Sequence, residues 1–372
     1  MPDLYDAVGH GMWAYSNAAF KVDVLDPARF APEPGTMIAV THRRETDVPV
    51  IGPPLYFATG GRRNTTRRLH FAARDDMFLP GFFAGFPPDL SPRARRLLYR
   101  VGVARWLPVV NVFPIRSATV ARVGEVLDAR KEESLGDLLG ERAAVFRERA
   151  AAYGLPPPGC AGDVLRGEYA DLLWEPFTRE DGQGLDEFWS GRAARAAGDF
   201  RTLVEIVRDG NLLVVFPEGR PSPDGEIGPI RPGIGALVRR GRPAAVRPLA
   251  LAYDPLVRGR TRVHLALGEP ARLPQDDVEG ALLQLLRLTM PLTCGQVVAG
   301  RLQAGVDADL VGLERDLADA VAVAREEGRP VEPDLASPEG RRRRLGEALA
   351  AAPRHADQLP VLAREYASAR GR

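Results

Sequence analysis

The sequence predicts an α/β fold built on a largely parallel, covered sheet. Apolar or β-branched runs are predicted as strands at 36–41, 67–73, 109–115, 211–216, 245–252 and 261–268. Helical stretches lie between them, notably at 92–102, 117–131, 199–209 and 233–240. Strands that alternate with helices favour a parallel sheet with both faces covered. A chain of 372 residues has room for one such domain with added helices.

The regions around these strands are predicted to be helical. Residues 1–34 form an N-terminal helical segment, with a helix at 4–20, and residues 35–274 form the α/β domain. Charged helical segments and a proline turn break the strand rhythm at 124–198, which predicts a helical insertion. Residues 275–372 are predicted as a C-terminal helical region, whose four arginines at 341–344 are expected on a solvated face.

Composition and charge exclude several classes of protein. A net charge of +1 gives no case for a nucleic-acid partner. Two distant cysteines predict neither a disulfide framework nor a metal cluster, so a reducing cytoplasm is expected. The N-terminal sequence lacks the features of a signal peptide, and no run approaches the roughly 20 apolar residues of a bilayer span. We expect a cytoplasmic protein, with peripheral contact at the inner face of the membrane as its only membrane role.

A histidine followed five positions later by an aspartate occurs twice, at His42/Asp47 and at His70/Asp75. The pattern alone is weak evidence for a site. His70 lies inside a predicted strand, where residues five apart point to opposite faces. His42 follows the end of a strand, so a turn leading into a helix brings Asp47 back to the imidazole. The sequence therefore predicts a side-chain pair at His42 and Asp47 alone.

Such a pair is suited to proton transfer. A carboxylate that accepts the proton of one ring nitrogen fixes the tautomer and stabilises the imidazolium, and the other nitrogen then takes a proton from a hydroxyl. The chain has no Gly-x-Ser-x-Gly nucleophile motif, and Cys160 lies in a proline-rich loop. The base is therefore expected to activate a hydroxyl of the substrate.

Two later segments, VVNVFPIRS at 109–117 and NLLVVFPEGRPSPDGEIGPIRPGIGALVRRG at 211–241, extend the pattern. With them, the chain resembles the phospholipid/glycerol acyltransferase family, which includes the lysophosphatidic acid acyltransferases, over roughly residues 20 to 270. The matching blocks occur in the family's order: His42 with Asp47, NVFPIR ending in Arg116, FPEG at 216–219 with RPG at 231–233, and VRPLAL at 246–251 with Pro248.

The resemblance implies transfer of an acyl group to a glycerolipid hydroxyl, with an acceptor like 1-acylglycerol-3-phosphate. The donor is a thioester, either acyl-CoA or acyl-carrier protein, and no metal or redox cofactor is expected. His42 is the implied general base and Asp47 its orienting partner. The implied substrate-binding residues are Arg116, which holds the acceptor phosphate, and Glu218, Gly219, Arg220 and Arg231.

The sequence departs from the family pattern around the acceptor. The arginine of the third block is displaced to Arg220, and Pro221 stands in its usual place. Ile115 replaces an acidic residue of the second block, and Asn111 replaces its glycine. Acyl transfer is thus better supported than a phosphate-bearing acceptor. Two alternatives stay open: an acceptor without phosphate, such as a glycolipid, polyol or alcohol, and a non-catalytic lipid- or acyl-carrier-binding protein on the same scaffold. For the insertion, a lid, a carrier-protein dock and a membrane contact are the candidate roles.

Overall fold

A computed structural model describes residues 3–60, 68–79, 81–85, 90–182, 184–305 and 309–370. The chain divides into two units. Unit 1 consists of Met1–Phe71 and Val204–Arg372, and unit 2 consists of Ala72–Leu203. The sequence predicts boundaries after residues 34 and 274 from changes in composition, whereas the two units are defined by contacts between residues. The predicted boundaries therefore stay predictions.

The strands lie close to the positions that the apolar runs predict. In chain order they are β1 (Lys21–Leu25), β2 (Thr36–Val40), β3 (Leu69–Arg74), β4 (Val112–Ile115), β5 (Val120–Arg122), β6 (Pro176–Thr178), β7 (Leu212–Val215), β8 (Ala245–Asp254) and β9 (Arg262–Leu267). β1 lies within residues 1–34, which the sequence predicts as a helical segment, so the prediction misses this strand. The alternating sequence KVDVL forms this strand beside β9.

The sheet of unit 1 has the strand order β1-β9-β8-β2-β7-β3. β2 is parallel to both β7 and β8, β3 is parallel to β7, and β1 is parallel to β9. Only β8 and β9, among these described pairs, run antiparallel. Every residue of β2 and β7 is buried, as strands covered on both faces require. The predicted largely parallel, covered sheet is confirmed.

Helices alternate with the strands along the chain and form the C-terminal region, as predicted. In chain order they are α1 (Leu4–Ala19), α2 (Asp47–Ala58), α3 (Phe82–Gly85), α4 (Pro92–Tyr99), α5 (Val123–Ala129), α6 (Leu135–Leu139), α7 (Ala143–Ala152), α8 (Ala170–Leu173), α9 (Asp186–Arg208), α10 (Pro232–Gly241), α11 (Val278–Thr289), α12 (Cys294–Gln303), α13 (Leu310–Glu326), α14 (Pro338–Ala351) and α15 (Leu359–Ala369). Among the described helices, none combines the length and the apolar character that crossing a bilayer demands.

Unit 2 contains the whole of the predicted insertion, residues 124–198, and has a hydrophobic core of its own. Phe146, Tyr169, Phe177 and Trp189 are buried in this core. The described regular elements of the insertion are helices except for β6, which pairs antiparallel with β5, the strand just before the insertion. The helix predicted at 117–131 starts later, at Val123, because residues 120–122 are held in this strand pair.

The C-terminal helices bury one of the four consecutive arginines. Arg344 is fully buried, where its guanidinium pairs with Asp254 at 2.9 Å and also with Glu332. The expectation of a solvated face is therefore wrong for Arg344. Buried carboxylates contributed by distant segments, β8 among them, compensate for the lost hydration of its charge.

Candidate active site

Three polar side chains follow neighbouring parallel strands of unit 1. His42 lies two residues after β2, Glu218 lies three residues after β7, and Tyr253 lies near the end of β8. β2 is the middle strand of these three. The carboxyl ends of parallel strands lie at the same edge of a sheet, where ligand sites form. The fold thus brings the three residues together from positions far apart in the chain.

His42 and Asp47 form the predicted pair. His42 Nδ1 lies 2.9 Å from Asp47 Oδ2. Asp47 is the first residue of α2, and the backbone N–H groups of Arg43 and Arg44 also donate to its Oδ2, at 2.6 and 2.9 Å. The Tyr253 hydroxyl donates to Asp47 Oδ1 at 2.8 Å. The strand-to-turn position has brought the aspartate back to the imidazole, and the catalytic role of the pair stays a prediction.

This network fixes the tautomer of His42. An ionised carboxylate only accepts hydrogen bonds, so Nδ1 carries the hydrogen and Nε2 is left as an acceptor. The imidazole packs against the Phe216 ring, with 4.4 Å between ring centroids, and His42 is 8% exposed whereas Asp47 is fully buried. Burial and the nearby Asp47 carboxylate raise the pKa of Tyr253 well above its ordinary value, so its hydroxyl remains a donor.

Glu218 joins the histidine turn to the loop after FPEG. Its Oε1 accepts the backbone N–H of His42 at 2.8 Å, and its Oε2 accepts the Gly228 N–H at 2.7 Å and the Ser222 hydroxyl. The Ser222 N–H in turn donates to the His42 carbonyl at 2.8 Å. The buried Glu218 carboxylate therefore bonds to the protein itself, and any part it has in shaping the acceptor site acts through this loop.

The other residues predicted in this loop are exposed. Gly219 has a φ of +73°, a conformation that glycine adopts without strain, and a Cβ there would lie 3.3 Å from the Arg231 side chain. Arg231 Nε donates to the Glu218 carbonyl at 3.1 Å. Arg220 is exposed and forms no hydrogen bond or ion pair with the described residues. Two guanidinium groups thus belong to the loop that Glu218 holds.

Arg116, the predicted phosphate ligand, lies in unit 2 just after β4. Its Nη1 donates to both carboxylate oxygens of Asp199, at 3.0 and 3.2 Å, and its Nε lies 3.8 Å from Asp75. Burial raises the pKa of the Asp199 carboxyl, and the Arg116 charge opposes that rise. Within unit 2 the positive charge of Arg116 is therefore already compensated by a carboxylate.

The C-terminal helix α15 contacts the same loop from its other side. Arg43 Nη1 donates to the Gly225 and Glu226 carbonyls at 3.1 and 2.9 Å, and its Nε lies 3.4 Å from Glu365 of α15. The Ile227 N–H donates to the hydroxyl of Ser368, also in α15. A cavity of about 490 Å³ is lined on one side by Arg43, Arg44 and Tyr253, and on the other by α15 residues including Glu365.

Sequence reasoning missed Tyr253, Ser222 and Glu365. Tyr253 had a usable signal, since it ends a strand predicted to run parallel to the one before His42. Ser222 stands in the quoted loop, but nothing in its neighbours indicates a bond to Glu218. Glu365 lies in a helix far beyond the region of resemblance, and no local pattern connects it with Arg43.

One part of the chain matches a known protein family. Residues 169–252 match the sequence model of the acyltransferase family. The resemblance to the acyltransferase family is confirmed. The matched stretch contains Glu218, Gly219, Arg220 and Arg231, whereas His42, Asp47 and Arg116 precede it. Acyl transfer is therefore the class of reaction that the family supports.

The chain is also similar to solved structures. The 1-acyl-sn-glycerophosphate (LPA) acyltransferase PlsC from Thermotoga maritima is similar at 12% sequence identity and a TM-score of 0.38, covering 76% of each chain. No curated protein matches the chain.

Proposed function

We propose that this acyltransferase moves a fatty acyl group from a thioester to a lipid hydroxyl, with His42 as general base. The observation that carries the proposal is the bond from His42 Nδ1 to Asp47. Because Nδ1 is bound to a carboxylate, Nε2 is the nitrogen available to a substrate. The buried carboxylate is itself held by the two backbone N–H groups and the Tyr253 hydroxyl, so the ring orientation is set before substrate arrives.

The reaction follows from this arrangement. The acceptor hydroxyl oxygen attacks the carbonyl carbon of the thioester while its proton passes to His42 Nε2. The carbon–sulfur bond then breaks, the ester forms, and His42 returns the proton to the leaving sulfur. Asp47 stabilises the positive charge that the imidazole carries between these two proton transfers. Neither step calls for a metal or redox cofactor.

Arg220 and Arg231 are proposed to hold an acceptor phosphate. Both are exposed, and they lie in the loop that is hydrogen-bonded to the histidine turn through Glu218. Guanidinium groups form strong charge-assisted hydrogen bonds with phosphate. These two charges support an acceptor like 1-acylglycerol-3-phosphate. Arg116 is the third candidate, and a phosphate there competes with Asp199.

The proposal extends to the acyl donor and to the cellular setting. Acyl-CoA and acyl-carrier protein both present the thioester that the mechanism needs, and both are proposed as donors. We place the reaction in the cytoplasm, at the inner face of the membrane where the lipid acceptor lies. No nucleic-acid partner is proposed.

The test is an acceptor panel with purified protein. Labelled acyl-CoA or acyl-carrier protein is supplied with 1-acylglycerol-3-phosphate, a monoacylglycerol, a glycolipid and a long-chain alcohol, and products are identified by mass. We expect acyl transfer to the phosphate-bearing acceptor and its loss in His42→Ala. A preference for acceptors without phosphate would establish the first alternative. If no acceptor turns over and lipid binding persists in His42→Ala, the protein is a binding protein.

Two further variants test the phosphate contacts. Arg220→Ala and Arg231→Ala are expected to raise KM about tenfold or more for the phosphate-bearing acceptor and to leave a neutral acceptor unaffected, since a charged hydrogen bond contributes about 1.5–3 kcal/mol. Arg272→Ala is the matched control, because Arg272 is exposed and lies outside this loop. Equal effects of all three variants would refute a phosphate site at this loop.

A further inference from the structure

One stretch of unit 2 is strongly basic, although the chain as a whole is nearly neutral. Residues 90–124 contain no aspartate or glutamate, whereas the whole chain has a net charge of only +1. The arginines of this stretch are at positions 93, 95, 96, 100, 105, 116 and 122. Such a one-signed segment indicates an anionic partner.

Some of these arginines are used within unit 2. Arg95 is buried and pairs with Asp171 at 3.0 Å, and Arg96 pairs with Glu168 at 2.7 Å. These contacts fix one face of α4 against its own unit. Ion pairs within unit 2 therefore explain the arginines on this face of α4. They do not explain the exposed arginines.

The segment also exposes arginines and large apolar side chains. Leu97 is 68% exposed, Trp106 49% and Val109 53%. Arg93, Arg100 and Arg105 are exposed as well and have no ion-pair partner among the described residues. Arg93, Leu97 and Arg100 follow the spacing of one helix face. We call Arg93, Leu97, Arg100, Val101, Arg105, Trp106 and Val109 the basic–apolar surface.

An arginine and a tryptophan of the basic–apolar surface are in contact with each other. The Arg105 guanidinium lies 4.8 Å from the centre of the Trp106 ring. A tryptophan indole is apolar with one hydrogen-bond donor, and it is enriched where an apolar phase meets water. Arginine reaches lipid phosphates while its stem stays in the apolar layer.

We propose that the basic–apolar surface rests on an anionic phospholipid membrane. Exposed apolar side chains between arginines that form no ion pair with the described residues fit the boundary of headgroups and acyl chains, where apolar burial and attraction to anionic lipid add together. An acidic protein would match the charge of the arginines but would leave Leu97, Trp106 and Val109 without a complementary apolar surface. The partner rests on the proposed function, since a lipid acceptor resides in a membrane, but the binding test below involves no turnover.

The test is sedimentation of the full-length protein with vesicles. Vesicles of phosphatidylcholine alone are compared with vesicles of phosphatidylcholine and phosphatidylglycerol, and fluorescence records the environment of Trp106. We expect binding to the anionic vesicles, weakening as salt is raised, with a blue shift that is absent in Trp106→Phe.

Matched variants distinguish an effect of this surface from an effect of the protein's overall positive charge. Arg93→Ser/Arg100→Ser/Arg105→Ser is expected to weaken vesicle binding about fivefold per arginine and about 100-fold in all. Arg315→Ser/Arg325→Ser/Arg354→Ser, the control, removes the same charge from exposed arginines of unit 1 and is expected to bind as the parent protein does. Trp106→Ser is expected to weaken binding, whereas Val311→Ser is not.

Several results would overturn the proposal. One is the absence of binding to either kind of vesicle, and another is an equal loss of vesicle binding in both triple variants. A third is a change in Trp106 fluorescence with acyl-carrier protein but not with vesicles. Circular dichroism checks that each variant is folded. Vesicle binding without acyl transfer would refute the proposed function and leave this surface assignment intact, so the two failures are distinguishable.

Discussion

Replacing Asp47 by asparagine separates the charge of the carboxylate from its geometry. Three N–H groups donate to Oδ2, from the His42 ring and from the backbone of Arg43 and Arg44, whereas Oδ1 accepts from the Tyr253 hydroxyl alone among the described residues. An asparagine NH₂ group cannot face three donors. Its oxygen must therefore occupy the Oδ2 position, and its NH₂ group faces Tyr253, whose hydroxyl can rotate and accept.

Asp47→Asn is thus expected to keep the tautomer of His42 and to lose only the negative charge. Two unit charges about 4 Å apart interact by roughly 4 kcal/mol at an effective dielectric constant of 20. A neutral acceptor retains roughly half the strength of a charged one. The loss of about 2 kcal/mol corresponds to a kcat about thirtyfold lower. Asp47→Ala also releases the ring, and a loss nearer 10⁴-fold is expected.

The assay is release of CoA from an acyl-CoA in the presence of 1-acylglycerol-3-phosphate, with kcat and KM measured separately. Asp277→Asn is the control, because Asp277 also accepts a backbone N–H at a helix start, from Gly280 of α11. A kcat for Asp47→Asn as low as that for Asp47→Ala would show that the backbone N–H groups of Arg43 and Arg44 do not hold the asparagine oxygen at the Oδ2 position. An unchanged kcat would show that no imidazolium forms in the slow step.

Three further predictions concern stability, measured by urea unfolding. Tyr253→Phe leaves Asp47 Oδ1 unpaired and is expected to lower the free energy of unfolding by about 1.5–3 kcal/mol; a change near zero would contradict this bond. Gly225→Ala places a Cβ 2.1 Å from the Val361 carbonyl oxygen at a φ of +90°, so a loss of at least about 1–3 kcal/mol is expected, whereas Gly346→Ala, with open space in α14, should be neutral or stabilising. Burial raises the pKa of the Glu365 carboxyl above its ordinary 4.5. The stability that Glu365 contributes is therefore complete below pH 4.5 and falls as the pH rises through the raised pKa. Glu365→Gln is expected to abolish this decline, and an identical pH dependence in both proteins would disprove it.

The sequence predicted the parts of the site that depend on local structure. The apolar run at 36–40 forms β2, and its end places His42 in a turn that brings Asp47 to the imidazole. This contact spans five residues, so strand end, turn and helix start suffice to define it. The loop after FPEG was found in the same way, from a buried strand followed by turn residues.

Contacts between distant segments were outside the reach of such patterns. Glu218 bonds to the His42 backbone across 176 residues, and the Tyr253 hydroxyl reaches Asp47 across 206. The neighbours of Glu218 do not indicate its partner, and the strand position of Tyr253 indicates the edge of the sheet but not the bond to Asp47. The ion pair that Arg116 forms with Asp199 was likewise invisible, although it alters how free that arginine is to bind phosphate.

The sequence by itself determined the alternation of strands and helices, the His42–Asp47 pair and the resemblance to acyltransferases, because hydrophobic periodicity and turn chemistry act over a few residues. Only the tertiary structure decided which donors hold the Asp47 carboxylate, that Glu218 joins two loops, and that α15 supports them through Glu365 and Ser368. These contacts depend on which strands become neighbours in the sheet and on where the C-terminal helices pack. Both are outcomes of burying apolar surface over the whole chain.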